Sequence, residues 1–205
     1  VRGENVVRRR SEGSLPISNR FEILGNESEE SRVLVVGDSN IHRIRNSIFH
    51  SVKRENKKKI RVVGLSGAKV DDCARVVSTE LAKERGKKIK VIVNVGTNDV
   101  GKIGSQEVLT KLRDLIRSAK AARGGVDITL LSIPSRVDEG EYIYSRSESI
   151  NNQMSRLVWS ENASWIDLRP KLDRCKFSLA RDGVHYSRQG AQIVGNLLGQ
   201  EAETF

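Results

Sequence analysis

The sequence predicts an α/β fold in three layers, a five-stranded parallel sheet covered by helices on both faces. Three observations predict it. Short β-branched apolar runs recur at 33–36, 60–64, 91–95, 128–133 and 164–167, as strands buried on both faces require. Between and after them lie stretches with apolar residues at helical spacing, at 41–53, 70–85, 106–123, 147–158 and 187–200. From Arg32 onward strand and helix alternate, which suits parallel strands joined by right-handed crossovers.

Residues 1–30 precede that pattern. They are polar and arginine-rich, then acidic at Glu27, Glu29 and Glu30, with one apolar patch at Phe21, Ile23 and Leu24. Such a composition reads as a largely disordered tail or linker, and leaves 31–205 as the domain. The first strand, Val33-Leu34-Val35-Val36, stops at Gly37 and is followed by Asp38, Ser39 and Asn40. Two readings of that triplet stay open: a helix cap, or a reactive hydroxyl presented at the carboxyl end of a buried strand. The third helix is the clearest. Ser105 is placed to cap it, Val108, Leu109, Leu112, Leu115 and Ile116 share one face, and Gly124-Gly125 ends it. The strand order that best suits five such units is the flavodoxin-like 2-1-3-4-5.

Composition narrows the class. A chain of 205 residues is long enough for one well-packed domain. No run approaches a membrane-spanning length, and the start at Val1 has no signal-peptide core and no initiator methionine, as in a fragment or a processed chain. Cys73 and Cys175 are the only cysteines, too few for a disulfide framework or a zinc site, so a reducing, intracellular and cytoplasmic setting is expected. The net charge of +10 is local. Residues 1–20, 53–61 and 83–90 carry net charges of +3, +5 and +4 and leave the remainder near neutral. Local basic stretches suit a polyanion, either RNA or DNA or an anionic membrane surface; solvated faces are the plainer reading. Lys57, Lys58, Lys59, Lys87 and Lys88 are the candidate contacts. They precede the second and third strands, so they belong at the amino edge of the sheet, opposite Ser39.

Three more loops leave strands at the edge that carries Ser39: Gly64-Leu65-Ser66-Gly67-Ala68, Gly96-Thr97-Asn98-Asp99, and Asp182-Gly183-Val184-His185 before the last helix. A serine is a weak nucleophile until a base takes its proton. His185 is the natural base, since His42 and His50 sit among basic neighbours in a helical stretch. Asp182, three residues earlier, is spaced to reach His185 in a turn and fix its tautomer; an ordinary Asp-Gly turn is the plainer alternative. Ser39 and Gly67 offer backbone N–H groups and Asn98 a side-chain amide to a developing oxyanion.

These four blocks, in this order, resemble SGNH hydrolases, also called GDSL-type esterases, over 32–200. The first block reads Gly-Asp-Ser-Asn, without the leucine of the latter name. The resemblance implies the SGNH fold, a Ser39–His185–Asp182 triad, an oxyanion hole from Ser39, Gly67 and Asn98, and chemistry that needs no metal and no cofactor. Gly67 is taken over Gly64 because it follows Ser66 in the loop. A narrower similarity joins residues 17–24 and 35–40 to esterase domains encoded by the first open reading frame of some LINE-type retrotransposons. It implies an intracellular esterase attached to a nucleic-acid-binding, self-associating protein.

The expected activity is hydrolysis of acyl or acetyl esters, lipid esters included. The rivals are a polyanion-binding module with vestigial esterase blocks and a carbohydrate acetylesterase, the latter disfavoured by the high pI. Residues 134–147, with Tyr142, Ile143 and Tyr144, read as a long loop that is either a lid over the site or a plain surface loop. Trp159 and Trp165 read as core residues, Asp38 as a brace for its turn, and Asp71, Asp72 and Asp99 as unsuited to a metal.

Overall fold

A computed structural model describes residues 31–84, 88–175 and 177–205. The tail at 1–30, its apolar patch and Lys87 lie outside the described residues. The sheet has five parallel strands in the order β2-β1-β3-β4-β5, which is the expected order. The strands are β1 (Arg32–Gly37), β2 (Ile60–Gly64), β3 (Ile89–Asn94), β4 (Asp127–Leu131) and β5 (Ser164–Ile166). Gly37 pairs with Gly64 on one side and Asn94 on the other, so three of the four site loops leave the sheet at one level.

Alternation along the strands builds two cores. Val36, Val91, Val93 and Leu130 point to one face, where α2 (Val70–Lys83), α3 (Ser105–Ala122) and α4 (Glu141–Ser160) cover them. Val33, Val35, Ile92 and Leu131 point to the other, under α1 (Ser39–His50) and α6 (Arg188–Glu203). Between β5 and α6 lies the single turn of α5 (Arg169–Leu172). On α1 the buried residues Ile41, Ile44 and Ile48 recur at helical spacing. They meet α6 closely, because a side chain at Gly195 would collide with Ser47.

Several expectations change. Ser105 is the first residue of α3 rather than its cap; Gly104 is the N-cap and provides no side-chain bond. Residues 134–147 are not one loop, since α4 begins at Glu141 and buries Ile143. The stretch carries helical spacing through Ile143, Ser147 and Ile150, and this outweighs the loop-like composition before it. Tyr142 and Tyr144 are exposed on the first turn of α4, where the Tyr142 hydroxyl accepts from Arg146 at 3.0 Å. Trp159 is 85% exposed, not core, because the buried stripe of α4 ends with Leu157 and Val158 and the next residue turns outward. Trp165 is partly buried against the first core. No helix among the described residues is long and apolar enough to cross a membrane. Both cysteines are free thiols, and burial pushes that of Cys73 up to about 12.

Candidate active site

The site forms where β1 gives way to α1. Gly37 ends the strand with no room for a side chain, because a Cβ there would strike Asn94 O and Ile41. Asp38 is the N-cap of α1, and its Oδ1 accepts the N–H of Asn40 at 2.9 Å. Ser39 is the first residue of the helix. The cap reading therefore holds for Asp38, and Ser39 stands at the carboxyl end of the strand, beside the cap. The Ser39 N–H lies in a first turn, where helix N–H groups have no intrahelical acceptor and the helix dipole favours negative charge.

Ser39 Oγ lies 2.9 Å from His185 Nε2, and His185 Nδ1 lies 2.8 Å from Asp182 Oδ2. The turn that makes this possible is built by Asp182 itself. Its Oδ1 accepts the N–H groups of Val184 and His185, both at 3.0 Å. These two bonds, then the imidazole, hold the Asp182 carboxyl well below the usual carboxylate range, so it is ionised at any working pH. Arg43 stands 3.9 Å from Asp182 Oδ2 with both side chains nearly half exposed, where solvent screens the pair. Gly183 is required twice over. Its φ is +67°, and a Cβ would sit 2.8 Å from Asp138 N.

The oxyanion candidates sit in neighbouring loops. Gly67 has a φ of +70° with open space around it, whereas Gly64 ends β2 against the His42 backbone. Gly64 thus serves packing and Gly67 serves the turn. Asn98 is half-buried and donates one amide hydrogen to Ala68 O at 2.9 Å, which ties its loop to that of Gly67. The amide's second hydrogen is a further donor of the same group. Asp99 Oδ2 accepts the Val70 N–H at 3.1 Å, securing the third loop to the start of α2. Asp72 accepts the Lys69 N–H and Asp71 pairs with Lys111, so the three aspartates have separate structural partners.

Asp38 lies beneath the serine, 1% exposed. Burial pushes its carboxyl up to about 6, against the lowering effects of the Asn40 N–H, the Thr97 hydroxyl and His185.

Two residues escaped the sequence reading. Asn40, 0% exposed, joins α1 to the His185 loop. Arg136 is buried in the loop after β4. Its Nη1 donates to Thr97 O at 3.0 Å and its Nε to Asp138 Oδ1 at 2.9 Å, while the neighbouring Val137 N–H donates to Gly183 O at 3.0 Å. That loop thus bridges the Asn98 loop and the His185 loop. The available signal was weak: a lone arginine followed by carboxylates two and three positions on, at Asp138 and Glu139.

At the opposite edge, Lys57–Lys59 form a single 3-10 turn before β2. An open cavity of about 590 Å³ runs along this edge strand and is lined by Arg45, Lys58, Lys59 and Arg61 among others. Arg61 pairs with Glu80, as does Lys83, and the mostly buried Lys90 pairs with Glu201. Among the described residues Arg45, Lys57, Lys58, Lys59 and Lys88 make no ion pair.

A parallel sheet in this order, with a serine at the end of its first strand and a histidine before its last helix, is the architecture of SGNH hydrolases. The sequence model of the GDSL-like lipase/acylhydrolase family matches residues 35–193, and the chain belongs to that family. It is thereby an esterase-type hydrolase of acyl esters. Comparison with curated protein sequences finds no match. Among solved structures, a GDSL-like lipase from Bacteroides thetaiotaomicron is similar with a TM-score of 0.70 at 16% identity, over 87% of this chain and 91% of that one. A member of the lipolytic G-D-S-L family from Veillonella parvula gives 0.69 at 15%, over 85% and 98%. The C-terminal catalytic domain of peptidoglycan O-acetyltransferase A from Streptococcus pneumoniae gives 0.66 at 13%, over 85% and 93%. At these identities the likeness is one of fold.

Proposed function

We propose that Ser39 is the nucleophile of this acyl-ester hydrolase, His185 its base and Asp182 the carboxylate that orients His185. The supporting observation is the unbroken line of hydrogen bonds from Ser39 Oγ through the imidazole to Asp182. In the first half-reaction Ser39 Oγ attacks the ester carbonyl and its proton passes to His185 Nε2. The oxyanion is met by the N–H groups of Ser39 and Gly67 and the Asn98 amide. The C–O bond to the alcohol then breaks, and the alcohol leaves with the proton from His185. In the second, water attacks the acyl-serine and gives its proton to His185. The acid departs as that proton returns to Ser39 Oγ. Asp182 stays ionised and stabilises the imidazolium. The substrate class is an acyl or acetyl ester, lipid esters included. The test is hydrolysis of p-nitrophenyl acetate and butyrate by the wild type and by Ser39→Ala. Activity is expected in the first and only background in the second; equal rates refute the assignment.

A second reading applies to the cavity along β2, where Arg45, Lys58 and Lys59, which make no ion pair among the described residues, stand beside the Arg61–Glu80 pair. They suit a polyanion, either RNA or DNA or an anionic membrane surface. Membership of a retrotransposon-encoded, nucleic-acid-associated protein is supported by the similarity at 17–24 and 35–40, the former outside the described residues.

A further inference from the structure

An amide buried in the first turn of a helix needs partners for both its donor and its acceptor. Asn40 finds them across the site. Its Oδ1 accepts the Tyr186 N–H at 2.9 Å, and its Nδ2 faces Val184 O at 3.5 Å. These are the main-chain groups of the residues on either side of His185. One side chain, on the residue next to Ser39, therefore holds the backbone after the imidazole by a bond of normal length and reaches the backbone before it by a longer one.

Most of the loop's remaining bonds lie within its own stretch of chain. Asp182 holds the N–H groups of Val184 and His185, the Ala180 N–H donates to His185 O at 2.7 Å, and Leu179 bridges Tyr186. These bonds shape the loop without setting its distance from α1. Val137 ties Gly183 to the loop after β4, not to the serine, and Arg43 of α1 approaches Asp182 only at 3.9 Å with both side chains nearly half exposed. The Tyr186 ring anchors the chain by burial, and apolar contact is non-directional. Asn40 is itself held, since its N–H is bonded to Asp38 Oδ1 at 2.9 Å.

We propose that Asn40 is a positioning residue that sets the reach between Ser39 and His185, a role that rests on those two being nucleophile and base. It acts through the loop backbone and touches no reacting atom. Misplacing a catalytic group by an ångström costs on the order of 10²-fold in rate. The test uses the full chain with Asn40→Leu and Asn40→Asp. The readings are kcat and KM on p-nitrophenyl acetate, the rate of fluorophosphonate labelling, and thermal melting. In Asn40→Leu, kcat and labelling are expected to fall about 10²-fold while KM stays within about threefold. Asn40→Asp keeps the acceptor for the Tyr186 N–H and is expected to lose only about tenfold. A folded Asn40→Leu with wild-type kcat and labelling overturns the proposal, as does a loss confined to KM. Should Asn40→Leu fail to melt cooperatively, Asn40→Asp decides, and an unchanged kcat there overturns it. Ser39→Ala is run beside them: full hydrolysis by that variant strikes at the nucleophile assignment and not at the role of Asn40.

Discussion

The two edges of the sheet handle charge in opposite ways. At the carboxyl edge the charged groups that shape the site loops are tied down. Asp182 takes two backbone N–H groups and the imidazole, Asp99 takes the Val70 N–H, and Arg136 is bonded to Thr97 O and its own loop's carboxylates. At the amino edge Lys57, Lys58 and Lys59 make no ion pair among the described residues, and the last two line an open cavity. The contrast is the one that the two proposed roles would require. A proton relay would tolerate little positional error, and directional bonds to backbone suit it. A surface that attracts a flexible polyanion works through charge density, and internal ion pairs would only dilute it. Lys83 and Lys90 count toward the third basic stretch in sequence, but Lys90 pairs with Glu201 and Lys83 shares Glu80 with Arg61.

The sharpest way to break the comparison is at the relay. His185→Ala and Asp182→Asn are each expected to lower kcat on the order of 10⁴-fold while leaving RNA binding unchanged. Steady-state kinetics and fluorescence anisotropy on the same preparations check both halves. Asn98→Ala should have a smaller effect, about 10²–10³ in kcat with KM little altered. An unchanged kcat would remove Asn98 from the oxyanion site and leave it the loop tie that its bond to Ala68 O already makes it.

Reversing charge at the amino edge probes the other side. In Lys57→Glu/Lys58→Glu/Lys59→Glu the slope of log K against log salt for single-stranded RNA should shrink by about 2, with ester hydrolysis intact. The same reversal at the exposed Lys102, Lys171 and Arg174 is the control for net charge. If both triple variants weaken binding equally, the edge holds no site. If only anionic vesicles respond, the ligand is a membrane surface.

The smallest effect expected is in stability. The Asp38 carboxyl is raised to about 6 in the fold from an ordinary 3.8, so its ionisation opposes folding. That penalty is full above pH 6 and vanishes as pH falls below the ordinary value. Asn caps a helix as well as Asp does, so Asp38→Asn removes the penalty and keeps the cap. Urea unfolding should show the variant gaining on the wild type from near zero at pH 4 to at most about 3 kcal/mol at pH 7. A difference that does not vary with pH would contradict the buried, raised carboxyl.

The strands and the strand order were legible because buried parallel strands leave continuous apolar runs, as Val33–Val36 and Val91–Val93 do. Ser39, Asp182 and His185 were legible because each lies in a short block with a glycine, Gly37 at a strand end and Gly183 in a turn. What escaped was of another kind. Asn40 acts through tertiary bonds to residues 144 and 146 positions away, and nothing local announces them. Arg136 is buried between loops that leave different strands, and its partner Thr97 is 39 positions away. The start of α4 was obscured by Pro134 and Gly140, which read as loop although Ile143 already carries helical spacing. Trp159 shows the converse, since a large apolar side chain one position off the buried stripe faces water.

The central claim, that Ser39 is the nucleophile and is activated by His185, is tested most directly by covalent labelling. A fluorophosphonate is reacted with the wild type, Ser39→Ala and His185→Ala, and the adduct is mapped by peptide mass spectrometry. One adduct is predicted, on the peptide that contains Ser39, absent from Ser39→Ala and strongly slowed in His185→Ala. An adduct on another residue, or labelling of Ser39→Ala at the wild-type rate, would contradict it.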